Sequence, residues 1–155
     1  MVDEHIRTHT ALHVVKGAAR RILGTKWTAG VYVEGRHGRL TLRCERPPTD
    51  VEIQHVQALV NEKIAANTRI EELEIDRVEA ERRWGDDIYD LFPIPDEIAR
   101  LRILHIPDWN VNACKETHVK LTGEVGGIQI AKPRYRAGKQ LLEIPFDLKA
   151  ESESR

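Results

Sequence analysis

Hydrophobic and polar residues follow the period of a helix over residues 4–23. The segment contains good helix formers, has no proline, and meets a stop signal at Gly24. At 100° per residue, its apolar positions gather on one side. These positions are Ala11, Val15, Ala18, Ala19 and Ile22. We expect that side of the helix to face the core.

A second helix is predicted after Pro47 and Pro48. Thr49 and Asp50 can cap its first turn, and the pattern continues to about Ala66. Its apolar side is expected at four roughly helical positions, which are Val51, His55, Leu59 and Ile64.

Strands are predicted where polar and apolar residues alternate. Segments 28–35 and 38–44 should pair around a turn at His37 and Gly38, which makes Cys44 a small core residue. The remaining predictions are strands at 68–76 and 100–106, a short helix at 77–84, a proline-punctuated loop at 87–95, and a hairpin of 126–135 with 139–148 that turns near Ala137 and Gly138. Because strands follow one another without regular crossover helices, an α+β fold is favoured, with an antiparallel sheet packed on two main helices.

The composition indicates one ordinary globular domain. The chain has 155 residues, of which 41% are hydrophobic and 32% charged, so neither a disordered protein nor a disulfide scaffold fits. We expect a single domain at 1–149 and a polar C-terminal tail at 150–155. No apolar run approaches the length of about 18 residues that a membrane helix needs, and the N-terminus lacks a signal core. A cytoplasmic protein with free or metal-ligating cysteines is therefore expected.

Two pairs of residues have the spacing of metal ligands. His9 and His13 lie on the same side of the first helix, about 140° from its apolar stripe, so they are either metal ligands or ordinary surface histidines. Cys114 and His118 form a second pair. Three imidazoles with one thiolate suit Zn²⁺, whereas the lack of carboxylates argues against Mg²⁺ or Ca²⁺. Thr10 occupies the place of the glutamate in the H-E-x-x-H metalloprotease motif, which excludes that class.

Several segments together resemble a known family. They are RTHTALHVVKGA (7–18), KWT (26–28), DIYDLFP (87–93), DWNVNAC (108–114), His118 and TGEVG (122–126). They are similar to the short stand-alone alanyl-tRNA editing proteins of the AlaX group. These proteins are relatives of the editing domain of alanyl- and threonyl-tRNA synthetases, whose signature is H-x3-H with a distant C-x3-H. The resemblance runs from about Arg7 to Asp147.

The resemblance implies a trans-editing hydrolase. Its expected reaction is cleavage of the ester that joins a wrong amino acid to tRNA(Ala), with serine as the expected amino acid and glycine as a further candidate. A second hydrolytic site is needed because a pocket for alanine rejects an isostere with an added hydroxyl only weakly. By this resemblance, His9, His13, Cys114 and His118 hold zinc in a cleft between the N-terminal helix and the 108–118 loop. A zinc-bound water is the expected catalytic group, and no side-chain base is assigned.

Residues around the metal ligands are also given roles, and only the role of Thr28 comes from the resemblance. Thr28 matches the position whose hydroxyl reads the serine side chain. Asn110 and Asn112 are expected to orient His118 or hold the substrate ester, or else to form turns. Lys16 and Arg20 share the helical side of the histidines and could lead phosphates to the metal, or form a solvated face.

Positive charge lies at both ends of the chain. Residues 1–46 carry an excess of five positive charges and residues 114–149 an excess of three, whereas residues 47–113 carry an excess of eight negative charges. The densest basic cluster is expected to contact the tRNA backbone, or else to protect a sheet edge, and no DNA or membrane partner is expected. Its members are Lys132, Arg134, Arg136 and Lys139.

The chain departs from the family in two places. Lys115 and Glu116 stand where the synthetase domains have glycines, and the N-terminal barrel of longer members is not expected before His9. Two alternatives remain open. A small-molecule metallohydrolase would use the same ligands without a basic path for tRNA. A non-catalytic RNA-binding module would hold structural zinc through four protein ligands.

Overall fold

A computed structural model describes residues 3–150 of the chain. Three α-helices lie in this range: α1 (Glu4–Leu23), α2 (Asp50–Ala66) and α3 (Arg77–Trp84). The eight strands are β1 (Thr28–Glu34), β2 (His37–Arg43), β3 (Glu71–Asp76), β4 (Arg100–Ile106), β5 (Asn110–Ala113), β6 (Ile128–Ile130), β7 (Arg134–Arg136) and β8 (Leu141–Leu148). Short 3-10 helices span Gly85–Ile88 and Thr122–Val125. All of the predicted polar tail except Ala150 lies outside the described residues.

The ends of the two long helices are set by side-chain caps. The Asp3 carboxylate accepts hydrogen bonds from two backbone N–H groups of the first turn of α1, and Gly24 ends the helix at a φ of 71°. Thr49 and Glu52 form a reciprocal capping box at the start of α2. Both predicted helices are therefore confirmed within one residue at each end.

The buried side of α2 differs from the predicted one. Val56 and Val60 are fully buried, whereas Val51 is 56% exposed and His55 is exposed. The prediction is wrong for Val51 and His55, whereas Leu59 and Ile64 are partly buried and pack against the main core. The sequence of α2 carries apolar residues on several sides, and the contact with α1 selects among them.

The strands form two antiparallel sheets. β1, β2, β8 and β6 lie side by side in that order, and β7 also pairs with β8. β3, β4 and β5 form a separate three-stranded sheet. The predicted α+β class with antiparallel pairing is confirmed, although the sequence did not indicate that the strands divide into two sheets.

The first hairpin turns two residues earlier than predicted. Gly35 and Arg36 form the turn, with Gly35 at a φ of 58°, and Gly38 lies inside β2. A Cβ atom at Gly38 would lie 2.4 Å from the ring of Phe146 on the neighbouring strand. Gly38 is therefore required by close packing rather than by a turn.

The structure differs from two further predictions, one about a strand and one about turn residues. The predicted arm 126–135 is broken into β6 and β7 around Pro133, which has no N–H group to continue the ladder. Asn110 and Asn112 lie on β5, which pairs with β4, so they are not turn residues.

α1 lies at the centre of the molecule. It contacts the five-stranded sheet, α2 and β5, and its residues from Arg7 to Ala19 are all buried. The predicted apolar side faces the main core, and the opposite side, which carries His9 and His13, is also covered. Within residues 3–150, no helix has both the length and the apolar character that crossing a membrane requires.

Candidate metal centre

The two predicted ligand pairs come together between α1 and the end of β5. The ligand atoms of His9, His13, Cys114 and His118 all lie within 4.8 Å of one another. His9 Nε2 lies 3.2 Å from Cys114 Sγ, which in turn lies 3.5 Å from His118 Nε2. The histidines are between 4% and 8% exposed, so the alternative that His9 and His13 are ordinary surface residues is wrong. This group could hold a metal ion.

His118 is oriented by a carboxylate from the second sheet. The Glu72 side chain lies 2.9 Å from Nδ1 of His118 and also accepts the backbone N–H of the same residue at 3.1 Å. Arg102 donates to Glu72 at 3.0 Å and fixes it in turn. Because Nδ1 faces a carboxylate, it carries the proton, and the lone pair on Nε2 is directed toward the other ligands.

His13 is oriented by Asn110. The side-chain amide of Asn110 lies 3.1 Å from Nδ1 of His13, so Nε2 is the nitrogen that faces the ligand group. Nε2 can bind a cation through its lone pair when Nδ1 carries the ring proton and donates it to the amide oxygen of Asn110. Nε2 is buried and has no hydrogen-bond partner among the described residues. A buried unpaired nitrogen is costly, and a bound cation would satisfy it. The prediction that the asparagines orient His118 is wrong, because Glu72 has that position.

Burial keeps the three imidazoles neutral. It lowers the pKa of His9 to about 4, with a further contribution from His118. The pKa values of His13 and His118 are also lowered, in both cases mainly by burial. Burial raises the pKa of Cys114 to about 11, so the thiol keeps its proton at neutral pH without a metal. Binding of a cation would therefore release a proton from this site.

Thr10, between the two histidines, holds the chain that follows His118. Its hydroxyl donates to the backbone oxygen of Ile6 and accepts the N–H of Val119 at 3.1 Å. The residue that excludes the metalloprotease motif thus has a structural role in fixing the second ligand pair against α1.

A small cavity of about 80 Å³ opens beside the ligands. Three of the four ligands line it, together with apolar side chains and Thr28. Thr28 is 6% exposed, and its hydroxyl has no hydrogen-bond partner in the described part of the chain. The residue predicted to read the substrate side chain therefore presents an unsatisfied polar group in the wall of this cavity.

Lys16, Asn112 and Asp90 form a closed triangle of hydrogen bonds in the same cavity. The ammonium of Lys16 donates to Asn112 at 2.7 Å and to Asp90 at 3.2 Å, and the amide of Asn112 donates to Asp90 at 3.2 Å. Burial lowers the pKa of Lys16, and the charge of Asp90 opposes that effect. Lys16 is 6% exposed and faces the cavity, so it is not part of an open helical face.

The other predicted tRNA-binding residues lie on the surface. Arg20 is exposed and pairs with Asp87 at 3.2 Å. Arg136 is half-buried and donates to Glu143 on β8 at 3.1 Å. Contact with tRNA stays a prediction for all of them. The remaining members of the basic cluster, all exposed, are Lys132, Arg134 and Lys139.

Two carboxylates at this site were not predicted from the sequence. Asp90 could have been found, because it lies in the DIYDLFP segment that carries the family resemblance. Glu72 had no such signal. It is one of three glutamates in the segment 71–74, and only the pairing of β3 with β4 places it beside Arg102 and His118.

The chain is similar to one segment of several alanine–tRNA ligases. It is 41% identical over 126 residues to an alanine–tRNA ligase of Aeropyrum pernix and 42% identical over 126 residues to that of Hyperthermus butylicus, in both cases over 81% of the chain. It is 36% identical to the alanine–tRNA ligase of Methanopyrus kandleri in an alignment 148 residues long that covers 88% of the chain. No family model matches the chain.

The chain spans only 14–16% of the length of these ligases. The similarity therefore covers nearly all of the chain and one limited segment of each relative. The chain is therefore a homologue of that segment of the alanyl-tRNA synthetases. This agrees with the sequence motifs, which resemble those of AlaX-like editing domains.

Proposed function

We propose that the protein is a trans-editing hydrolase that releases serine from mischarged tRNA(Ala) at a zinc site, in the cytoplasm. The observation that carries this proposal is the position of the ligand group, which opens onto a cavity with an unsatisfied threonine hydroxyl in its wall. Homology to a segment of alanine–tRNA ligases supports tRNA(Ala) as the carrier of the amino acid.

The donor set fits zinc. Three imidazoles and a thiolate are typical zinc ligands, at metal distances of about 2.0–2.1 Å and 2.3 Å, which put neighbouring ligand atoms about 3.5 Å apart in a tetrahedral site. The separations of 3.2 and 3.5 Å around Cys114 Sγ agree with that geometry. Nε2 of His13 is buried and has no hydrogen-bond partner among the described residues, so it is available to a metal. When bound, zinc would polarise the ester carbonyl or lower the pKa of a nearby water.

The side chains of the cavity supply selectivity. The hydroxyl of a seryl group can form a hydrogen bond with the hydroxyl of Thr28. The methyl group of an alanyl group cannot, so it leaves the Thr28 hydroxyl unpaired. Leu12, Val31 and Leu40 form an apolar wall that limits the size of the substrate side chain. Ala-tRNA(Ala), the correct product of alanylation, is thereby spared from hydrolysis.

The test is serine release from purified Ser-tRNA(Ala), measured with and without a chelator and again after zinc is restored. We expect rapid release that the chelator abolishes and zinc recovers, with much slower release of alanine from Ala-tRNA(Ala). Release that is unaffected by removal of the metal would contradict the zinc mechanism.

Two other outcomes would favour the alternatives. Equal turnover of serine methyl ester and Ser-tRNA(Ala) would indicate a small-molecule metallohydrolase. Tightly bound zinc with tRNA binding but no ester cleavage would indicate an RNA-binding module with structural zinc.

A further inference from the structure

We propose that the carboxylate of Asp90 binds the α-ammonium group of the aminoacyl substrate. The inference rests on the proposed function and adds a requirement to it: the site accepts esters of free α-amino acids and discriminates against esters whose α-nitrogen is absent or acylated.

Asp90 is the only carboxylate that lines the cavity, among the residues that the structure describes. The other polar groups of the cavity wall are the three lining ligands, the hydroxyl of Thr28, the ammonium of Lys16 and the amide of Asn112. Of these groups, Lys16 is a donor that repels a second cation, and the oxygen of Asn112 already accepts from Lys16. A positively charged amine that enters here therefore has one acceptor of opposite charge.

The hydrogen bonds to Asp90 leave half of its carboxylate open. Lys16 and Asn112 both donate to Oδ1, and no hydrogen bond within residues 3–150 reaches Oδ2. The Asp90 side chain is 43% exposed, so its second oxygen is accessible to a ligand. The bonds to Oδ1 hold the carboxylate in one orientation, because Asn112 also donates to the backbone oxygen of Ile88 at 3.3 Å.

Asp90 is coupled to the residue that would read the substrate side chain. The N–H of Leu91 donates to the backbone oxygen of Thr28 at 2.9 Å, which joins the segment of Asp90 to the start of β1. The amine and the side chain of an amino acid are both attached to its α-carbon. The backbone bond between Thr28 and the residue that follows Asp90 therefore limits how far the two recognition residues can move apart, as the recognition of two groups on one carbon requires.

The test compares two substrates that differ only in the α-substituent. Ser-tRNA(Ala) and the corresponding α-hydroxyacyl ester, made by nitrous-acid deamination of Ser-tRNA(Ala), are hydrolysed by wild type, Asp90→Asn and Asp87→Asn. Asp87 is the matched control, since it lies in the same segment but pairs with Arg20 and Lys26 on the surface. Zinc content and the circular dichroism of each variant establish that its fold and metal site are intact.

We expect Asp90→Asn to lower kcat/KM for Ser-tRNA(Ala) by about 10- to 100-fold, the range for loss of a charge-assisted hydrogen bond. The α-hydroxyacyl ester should be hydrolysed at the same rate by Asp90→Asn and wild type, within about threefold. Asp87→Asn should behave as wild type on both substrates. Equal loss on both substrates would mean that Asp90 only shapes the cavity, and no loss on either would also overturn the proposal.

Binding separates this inference from the proposed reaction. The amide 3′-seryl-amino-3′-deoxyadenosine lacks the ester, so its affinity can be measured by calorimetry whether or not the protein hydrolyses anything. Weaker binding to Asp90→Asn than to wild type, without catalysis, would refute the hydrolase and keep the ammonium site. Equal affinity, or no binding to wild type, would refute the ammonium site.

Discussion

The hydroxyl of Thr28 is buried without a hydrogen-bond partner among residues 3–150, which is costly unless the substrate supplies one. We expect Thr28→Val to slow the release of serine more than that of alanine and to narrow the ratio of the two kcat/KM values by about tenfold. Deacylation of Ser-tRNA(Ala) and Ala-tRNA(Ala) measured side by side is the readout.

Thr25 provides a control for that substitution. Its hydroxyl is also buried and unpartnered in the described chain, but it lines a different cavity beside Trp27 and Cys44. Thr25→Val should leave the ratio unchanged. If the two variants behave alike, serine is recognised elsewhere.

The metal ligands are expected to act as a set. Cys114→Ser and His9→Ala should each lose most of the zinc that wild type holds at one ion per chain, because each removes one of four convergent donors. Metal analysis of the purified proteins measures this loss. Cys44→Ser is the matched control, since Cys44 is a buried free thiol whose Sγ donates to the backbone oxygen of Arg46 away from the ligands. Full retention of zinc in both ligand variants would contradict the proposed zinc site.

The lowered histidine pKa values predict how the metal-free protein responds to acid. His9 titrates near pH 4 in the folded protein and near 6.5 when unfolded, so the unfolded chain binds more protons between these values. The free energy of unfolding should therefore fall as the pH is lowered from about 6.5 toward 4. Urea denaturation of chelator-treated protein at several pH values measures the slope, and the double variant His9→Asn, His13→Asn should flatten it. An equally steep slope in that variant would assign the acid sensitivity to other groups.

At the residue scale, the ligands could be predicted from the sequence, whereas Glu72 could not. The spacing of His9 with His13 and of Cys114 with His118 is local, so it is visible in the sequence. Asp90 lies in the DIYDLFP segment, which could have identified it. Glu72 reaches the site only through strand pairing, because an isolated carboxylate in a sequence looks the same on a surface as in a cavity.

At the scale of elements, Trp109 packs directly against the backbone of α1. A Cβ atom at Gly17 would lie 2.4 Å from the indole ring, whose Nε1 donates to the backbone oxygen of Val14 at 3.0 Å. We expect Gly17→Ala to destabilise the protein by about 1–3 kcal/mol, because the ring must move and Asn110 follows it directly in the chain. Chemical denaturation gives the free energy of unfolding. At Gly138, no atom of the described residues lies within 4 Å of an added methyl group, so Gly138→Ala should change stability far less. Equal effects of the two substitutions would contradict the packing argument.

The predicted elements were most accurate where capping signals are local. Asp3, Gly24 and the Thr49 capping box fix the ends of α1 and α2 within the sequence itself. β5 was missed because its four residues carry two asparagines, which favour turns until a neighbouring strand supplies hydrogen-bond partners.

At the scale of the whole molecule, the basic cluster on the β7–β8 hairpin predicts salt-dependent association with tRNA. Arg134→Glu with Lys139→Glu should weaken binding and reduce the dependence of affinity on salt concentration, because fewer phosphates are neutralised. Arg82→Glu with Arg83→Glu on α3 is the control, since both arginines pair with Glu79 in the acidic middle of the chain. The affinities of wild type and both double variants for tRNA, measured at several salt concentrations, test this prediction. An unaltered slope in the hairpin variant would make the cluster ordinary surface.

The arrangement of the two sheets could not be read from the sequence. The strand segments alternate in similar ways, and nothing local distinguishes the partner of β3 from that of β2. The choice depends on which faces α1 and α3 cover, since Leu104 and Ile106 pack in the main core while Leu101 and Ile103 of the same strand pack with Ala80 and Ile88.

β8, the last strand to leave the ribosome among those described, lies between β2 and β6 in the middle of its sheet. α1 is synthesised first, yet its buried sides are covered by elements from across the described chain. A nascent chain that ends before β8 therefore lacks the residues of this strand that complete the core on the apolar side of α1. Such long-range closure is slow, because the entropy of closing the chain is lost before the contacts form. Folding is expected to be late and cooperative, and the affinity for metal should arise in the same step.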